Sequence, residues 1–344
     1  MKQEKILHIC PLDKFIPPFI EFIERNFAFE RHVFVLIGDL NKFPVQIRSN
    51  IIHLTSRTQY FFLLAQLHQA GKIILHSIFD RNIVKLLSIA PWLLRKCYWV
   101  MWGGDLYHYQ FRSRDIKGDR YEKIRARVIR KMGHFVTYIN GDYELAQKWY
   151  GAKGAYHECL MYPSNLYKEY VVPPKKEGPL CVLLGNSADP SNNHDELFEK
   201  LLPFKDESIL IYCPLSYGQA EYADYIAKLG KKLFGDKFIP LLEFIPFEKY
   251  LELLGQIDIA VFAHKRQQAM GNTITLLGLG KKVYMRNDVT PWAKFDELGV
   301  KVFDVRKFDL MPLNDDVRKN NQVHIKSHFS EAALAKQLND IFEG

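Results

Sequence analysis

No stretch of this 344-residue sequence approaches the roughly 18 consecutive apolar residues that a membrane-spanning helix needs. The longest apolar candidates, 86–94 and 97–102, are half that length or less. The opening Met1-Lys2-Gln3-Glu4-Lys5 leads straight into a strand-like run without a secretory h-region, so neither a spanning nor a secreted protein is expected. Cysteine is sparse. Cys10, Cys97, Cys159, Cys181 and Cys213 are odd in number and form no CxxC, which argues against a disulfide framework and a zinc site and fits a reducing cytoplasm. The twelve histidines contain no HExxH motif, and no metal is expected. A GxGxxG fingerprint is missing too, so a nicotinamide-dependent dehydrogenase loses ground. The basic-aromatic interleaving of a strand-binding groove is also lacking, and no nucleic-acid partner is expected.

What is present is the composition of an ordinary globular protein, 48% hydrophobic and 25% charged, long enough for two domains. Lys plus Arg exceeds Asp plus Glu by 47 to 39, a net charge of +8. The excess is concentrated between Arg112 and Lys131. Nine basic residues there (Arg112, Arg114, Lys117, Arg120, Lys123, Arg125, Arg127, Arg130, Lys131) face three acids (Asp115, Asp119, Glu122). Such a run is either a solvated helix face or a surface for an anionic partner.

Short apolar runs alternate with helical periodicity. Strands are expected at 5–10, 32–37, 50–54, 72–75, 98–102, 134–139 and 157–161, with helices over 17–27, 59–70, 81–90, 120–131 and 142–150. Three prolines, a glycine and three charges in 171–179 read as a linker. The alternation then restarts, with strands at 180–184, 208–213, 237–242, 257–262 and 282–285 and helices over 193–202, 219–234, 247–254, 272–279 and 291–298. In 247–254, Phe247, Tyr250, Leu251 and Leu254 share one face that is expected to be buried. A last helix over 330–342 follows a long polar stretch. The expected organisation is an α/β domain over 1–172, a linker over 173–179, a second α/β domain over 180–326, and a terminal segment, 327–344, that packs back on the first domain. Parallel α/β sheets bind ligands outside the carboxyl ends of their strands, here in a cleft between two domains.

Several of those strand ends carry polar loops. Gly185-Asn186-Ser187 follows the first strand of the second half and opens a helix, so Gly185 permits close approach and its neighbours supply uncharged hydrogen-bonding groups. Tyr217 follows the next strand, where it could stack on a base or sugar, or simply sit on a turn. Phe244 and Ile245 follow the third, beside Pro246 at a helix start. The most informative loop is His264-Lys265-Arg266-Gln267-Gln268-Ala269-Met270-Gly271-Asn272-Thr273. A glycine turn at Gly271 into a helix opening at Asn272-Thr273, approached by two cations, suits a sugar diphosphate; the alternative is a basic connecting loop. In the first half, Trp102-Gly103-Gly104-Asp105 ends a strand, and Asp105 is expected to project into the cleft as a base for an attacking hydroxyl; the alternative is a structural carboxylate that caps the next segment or pairs with an arginine. His76, at the end of the preceding strand, is a second candidate base.

These loops resemble a bacterial family, the 4-acetamido-4,6-dideoxygalactose (Fuc4NAc) transferases of enterobacterial common antigen synthesis, labelled 4-alpha-L-fucosyltransferases, glycosyltransferase family 56. The resemblance rests on Trp102-Gly103-Gly104-Asp105-Leu106-Tyr107, on Gly185-Asn186-Ser187 with Asp189, Ser191-Asn192 and His194, on Arg266-Gln267-Gln268 with Gly271, and on Gly280-Lys281-Lys282-Val283. It implies a GT-B fold of two facing Rossmann-like domains and a dTDP-linked sugar donor, with no other cofactor. It also implies a polyprenyl-diphosphate-linked acceptor at the inner face of the cytoplasmic membrane, where the basic segment would meet an anionic surface. Donor binding is carried onto Gly185, Asn186, Ser187, Arg266, Gln267, Gln268, Gly271, Asn272 and Thr273. Asp13 and Lys14, in a first loop that departs from the family pattern, and Gly103 and Gly104 are expected on the acceptor side. Asp-x-Asp, a common metal-holding motif in transferases, is absent, so Lys265, Arg266 and a helix N-terminus would offset the charge of the leaving diphosphate. Two other readings stay open: a sugar-nucleotide epimerase of the same architecture, and a non-catalytic nucleotide-sugar binding protein.

Overall fold

The computed structural model describes residues 4–56, 58–112, 114–175 and 177–344. The chain divides into two compact units, one of residues 1–166 with 331–344, the other of residues 167–330. In the first, strands and helices alternate as β1 (Ile6–Pro11), α1 (Ile16–Asn26), β2 (His32–Ile37), β3 (Ile51–Leu54), α2 (Gln59–Gln69), β4 (Lys72–His76), α3 (Arg81–Ile89), β5 (Cys97–Val100), α4 (Gly104–Phe111), α5 (Ile116–Arg130), β6 (His134–Val136), α6 (Asn140–Tyr150) and β7 (Ala155–His157). The second contains β8 (Leu180–Leu184), α7 (His194–Leu201), β9 (Ile209–Pro214), α8 (Ala220–Phe234), β10 (Phe238–Leu241), α9 (Phe247–Gln256), β11 (Ile259–Val261), α10 (Met270–Gly278), β12 (Lys282–Met285), α11 (Thr290–Glu297), β13 (Phe303–Asp304) and α12 (Asp315–His328). Helix α13 (Glu331–Glu343) returns to the first unit.

Every strand pairing is parallel. The strand orders are β3-β2-β1-β4-β5-β6-β7 and β10-β9-β8-β11-β12-β13. Each order reverses direction once, between β1 and β4 and between β8 and β11. Loops diverge at that point and leave a crevice at the strand carboxyl ends, the usual ligand position of an open α/β sheet. The buried strands are near-continuous runs such as Ile-Leu-His-Ile-Cys and Leu-Cys-Val-Leu-Leu, as sheets covered on both faces require. All five cysteines are buried thiols.

The boundaries differ from the sequence expectation in physical detail. The second unit begins at Tyr167, because its ring lies against the backbone of Gly278 and its hydroxyl donates to the Gly278 carbonyl at 3.1 Å. The proline-rich stretch is tied to this unit: Val172 packs on Gly255, and Lys175 pairs with Asp258. Lys176, also assigned to the linker, lies outside the described residues, as do Met1, Lys2 and Gln3. Helix α13 buries Leu334, Leu338, Ile341 and Phe342, and Lys72 Nζ donates to its terminal carbonyls of Ile341 and Phe342 at 2.7 and 3.0 Å. Helices α4 and α12 and strand β13 have no counterpart in the periodicity. Helix α12 is largely polar and buries little beyond Asn321 and Ile325, so it lacks an apolar stripe to read. Phe247 is exposed rather than buried, and α9 packs through Leu251 and Leu254.

Candidate active site

The carboxyl edge of the second sheet gathers four loops into one hydrogen-bonded cluster. After β8, the backbone turns at Gly185 with φ +69°. A Cβ there would stand 2.7 Å from His194 Nε2, so the position needs glycine for both its conformation and its neighbour. Asn192 is fully buried and holds the loop from within. Its Oδ1 accepts from the Asn186 N–H and from His264 Nε2, both at 2.8 Å, while its Nδ2 donates to Ser187 Oγ at 3.1 Å and to the Asp189 carbonyl at 2.8 Å. Asn186 in turn donates to Tyr217 OH, from the loop after β9, at 2.5 Å. Asn272, in the first turn of α10, donates to Asn186 Oδ1 at 2.6 Å and to Tyr250 OH on α9 at 3.1 Å. Ser191 Oγ reaches Gln268 Oε1 at 2.8 Å, and Asn193 Nδ2 reaches the Ala263 carbonyl at 2.7 Å. The residues around β8 and β11, the pair of strands at the reversal, are thus bound to each other by neutral amides and hydroxyls.

Two helices aimed at this cluster begin on left-handed non-glycine residues, α7 on Asn193 with φ +52° and α10 on Ala269 with φ +58°. The turn expected at Gly271 is therefore made two residues earlier, at Ala269. Helix α10 starts at Met270, and Gly271 is already helical. Its first-turn N–H groups carry the partial positive charge of a helix N-terminus, with exposed Lys265 and half-buried Arg266 on the approach. Arg266 Nη1 donates to the Gln267 carbonyl at 3.1 Å, and Gln267 Oε1 is buried with no partner. Burial lowers His264 to about 3 and His194 to about 4, so both are neutral at physiological pH.

Among the residues expected to bind donor, the structure brings together Asn186, Ser187, Tyr217, Gln268 and Asn272, with Gly185, Gln267 and Gly271 in the same turns. Thr273 is buried, its hydroxyl donating to the Ala269 carbonyl at 3.0 Å, which makes it part of the helix start. Phe244 is 84% exposed and Ile245 only partly buried, on a loop whose side chains are not in the cluster's hydrogen bonds. Sequence reasoning gave no donor-site role to Tyr250, His264 or Asn192. The signal for Asn192 was its place between Gly185 and α7, but its partner His264 lies 72 residues away.

In the first unit the two candidate bases are enclosed. Asp105 is 1% exposed, in the first turn of α4. Its Oδ2 accepts from Trp99 Nε1 at 2.7 Å and the Ile78 N–H at 3.2 Å, and its Oδ1 from the N–H groups of Trp102 at 2.9 Å and Leu106 at 3.0 Å. Burial raises its pKa, opposed by these donors. The expected projection into a cleft is not what the structure shows: four donors turn the carboxylate inward, where it pins the β4 and β5 ends and starts α4. His76 is fully buried between His8 and Tyr162, and burial lowers it to about 3. Gly103 (φ +78°) and Gly104 form the turn into α4, and Asp13 and Lys14 lie in the β1–α1 loop.

The basic segment sorts into two groups. Arg125 is 2% exposed. It donates to Tyr150 OH at 2.6 Å and to the Asp105 carbonyl, and pairs with Glu122. Arg120, Lys123, Arg127 and Arg130 are exposed along one stripe of α5 that begins at Ile116, itself 89% exposed. Among the described residues, no cluster of three or more His, Cys, Asp or Glu could hold a metal ion. One i, i+4 histidine pair is present: His324 and His328 stack on α12 with centroids 6.0 Å apart, without a third ligand among the described residues.

Two Rossmann-like parallel α/β domains, the second with a polar cluster at its strand reversal, are the architecture of the GT-B class of glycosyltransferase, which the comparisons with known proteins bear out. Solved structures share the fold over essentially the whole chain. The Anabaena protein Alr3699/HepE, in complex with UDP and glucose, superposes with a TM-score of 0.68 at 12% identity, covering 99% of both chains. A glycosyltransferase from Rickettsia africae ESF-5 gives 0.62 at 15% identity, over 100% of this chain and 98% of that one. WaaG, a glycosyltransferase involved in lipopolysaccharide biosynthesis, gives 0.56 at 12%, over 98% and 95%. The family described as 4-alpha-L-fucosyltransferase, glycosyl transferase group 56, matches residues 32–322, and this chain belongs to it. The protein is a glycosyltransferase.

Proposed function

We propose that the chain transfers a deoxy or deoxyamino hexose, such as Fuc4NAc or fucose, from a nucleotide-diphosphate donor to a saccharide carried on polyprenyl diphosphate, in the synthesis of a bacterial surface polysaccharide. The observation that carries the donor half is the convergence of Asn186, Tyr217, Tyr250 and Asn272 beside the N-terminus of α10, with Lys265 and Arg266 on its approach. Neutral amides and hydroxyls suit sugar and ribose hydroxyls, and the helix end and two cations suit a diphosphate. In this proposal the cations do the work that a metal does elsewhere, so transfer continues in excess chelator. That Alr3699/HepE has been solved with UDP and glucose supports a nucleotide-sugar donor; the nucleotide in this reading is dTDP. A thermal-shift panel of dTDP, UDP and GDP tests it. Ligand at 100 times its dissociation constant stabilises by about 2.7 kcal/mol, and no shift with any of the three would remove the donor site.

The acceptor half draws on the α5 stripe. Arg120, Lys123, Arg127 and Arg130 share their stripe with the exposed Ile116, and Phe111, at the end of α4, is exposed as well. Basic residues beside an anionic bilayer contribute on the order of 1 kcal/mol each, lost at high salt. No helix among the described residues is long and apolar enough to cross a membrane, so the proposed attachment is peripheral. Arg125 takes no part, being buried. Reversal of Arg120, Arg127 and Arg130 to Glu should abolish low-salt sedimentation with phosphatidylglycerol vesicles and spare nucleotide binding. Equal sedimentation of the reversed variant would return the stripe to a solvated helix face.

A further inference from the structure

The carboxyl edge of the first sheet carries a different chemistry. Three aromatic rings meet there, each from a different strand end: Phe15 after β1, Phe79 after β4 and Trp102 after β5. Phe15 and Trp102 pack edge to face with centroids 5.6 Å apart, and Phe79 stands 6.3 Å from Trp102. All three are partly open to solvent, Phe79 at 48%. A Cβ at Gly104 would lie 3.3 Å from Phe79 Cζ, which gives that glycine a packing reason. Strands β1 and β4 are those between which this sheet reverses, so the rings stand at its ligand position. In the same β4–α3 turn, Ser77 has φ +73° and is 4% exposed, and its Oγ has no partner. A strained backbone and an unsatisfied buried hydroxyl are both costly features, of the kind that gathers at ligand sites.

A buried chain of side chains supports Trp102 from behind. Trp102 Nε1 donates to Tyr162 OH at 2.8 Å. An indole nitrogen only donates, so Tyr162 accepts there and directs its own hydrogen to His76 Nδ1 at 2.6 Å. His76 then carries its hydrogen on Nε2 and donates to His8 Nδ1 at 3.1 Å, and His8 donates from Nε2 to His32 Nδ1 at 2.9 Å. The chain crosses β4, β1 and β2 in one direction, ending under Phe342 of α13, whose ring packs on His32 at 4.7 Å. It keeps that direction only while all three imidazoles are neutral. Burial ensures this, lowering His76 to about 3, His32 to about 4, and His8 well below its ordinary value.

We propose that Phe15, Phe79 and Trp102 form a platform for the apolar face of a pyranose ring of the acceptor, and that Tyr162, His76 and His8 are positioning residues that fix the Trp102 indole in it. One face of a pyranose presents C–H groups, which pack on aromatic rings, while its hydroxyls lie around the rim within reach of a group such as Ser77 Oγ. The inference rests on the reading that the first unit takes the acceptor saccharide, and does not depend on which nucleotide the second unit binds.

Saturation-transfer NMR with free N-acetylglucosamine, fucose and glucose as probes, and calorimetry with UDP and dTDP, test it in parallel. At least one sugar is expected to show transfer, with its ring C–H protons closest to the protein. Trp102→Ala and Phe79→Ala should each weaken it about tenfold, and Trp102→Phe should restore most of the loss. Tyr162→Phe should weaken it less and shift the indole N–H resonance of Trp102, whose acceptor is gone. Nucleotide affinity should stay within about twofold in every variant, since the substituted residues all belong to the first unit and the nucleotide is assigned to the second. Should Trp102→Ala not fold, Phe79→Ala carries the test, since that ring is half exposed. The proposal is overturned if no pyranose shows transfer, or if sugar binding survives both alanine substitutions. Loss of nucleotide binding in the wild type, with sugar binding intact, would instead sink the donor reading.

Discussion

The two sheets share a strand order through six strands, yet their reversal points hold opposite chemistry. At β8 and β11 the side chains are amides and hydroxyls (Asn186, Asn192, Asn272, Tyr217) in one hydrogen-bonded cluster beside a helix N-terminus. At β1 and β4 they are aromatic rings backed by neutral imidazoles. The difference shows how little the architecture says about the ligand. The topology supplies a crevice in both units, and the residues two to eleven places beyond the strand ends decide whether its lining is polar or aromatic.

The comparison breaks most severely at Asn192. Replacement by Leu leaves the Asn186 N–H, the His264 ring and the Ser187 hydroxyl without their partner, at about 1–3 kcal/mol for each buried group so stranded. The expected result is a large fall in melting temperature together with loss of nucleotide binding. If calorimetry found nucleotide affinity unchanged, the amide cluster would have no part in the site. Arg266→Ala comes next. Removing one charge-assisted contact should cost roughly 1.5–3 kcal/mol of diphosphate affinity, with little change in stability, since Arg266 is only half buried. Unchanged affinity would take the β11–α10 loop out of the diphosphate site.

Asp105→Asn sharpens the other side. The amide would point donors at N–H groups that now meet a carboxylate, so about 1–3 kcal/mol of stability should be lost, and sugar binding to the first unit should weaken while nucleotide binding stays. Full stability with abolished transfer would instead give Asp105 a chemical role. The mildest test is pH. Burial lowers five histidines of the first unit (His8, His32, His76, His134, His157) and two of the second (His194, His264) among the described residues. The unfolded chain protonates its histidines below about 6.5, whereas in the folded chain His32, His134 and His194 stay neutral to about 4 and His76 and His264 to about 3. Stability is therefore complete above about pH 6.5 and falls as acid is added below it. Scanning calorimetry at pH 7 and pH 5 should show a lower melting temperature at pH 5, with the first unit the more affected. A melting temperature that holds at pH 5 would mean that these imidazoles are not buried and neutral together.

Several features of this molecule were legible in the sequence, and they share a local origin. Strand–helix alternation is written in runs of four to fifteen residues, so two parallel α/β halves could be read, as could the loops holding Gly185-Asn186-Ser187 and Arg266-Gln267-Gln268. Helix α5 was legible as a basic helix, but not its division into Arg125, which holds Tyr150 and Asp105, and the exposed stripe beside it. Asp105 looked like a free carboxylate at a strand end because one donor, Ile78, comes from another strand end, and because the order of residues does not show that the Trp99 indole and the Trp102 and Leu106 N–H groups turn onto it.

The amino-acid order by itself determined the periodicities, the polar or apolar character of each loop, and the family, because each depends on residues near one another in the chain or on a motif read in order. Only the tertiary structure decided protonation states and partners. His8, His32 and His76 are single histidines in apolar runs, 24 and 68 residues apart, and nothing local marks them as one chain. Parallel pairing of β2, β1 and β4 places them side by side and removes them from water, and the same burial that keeps them neutral gives the hydrogen bonds their direction.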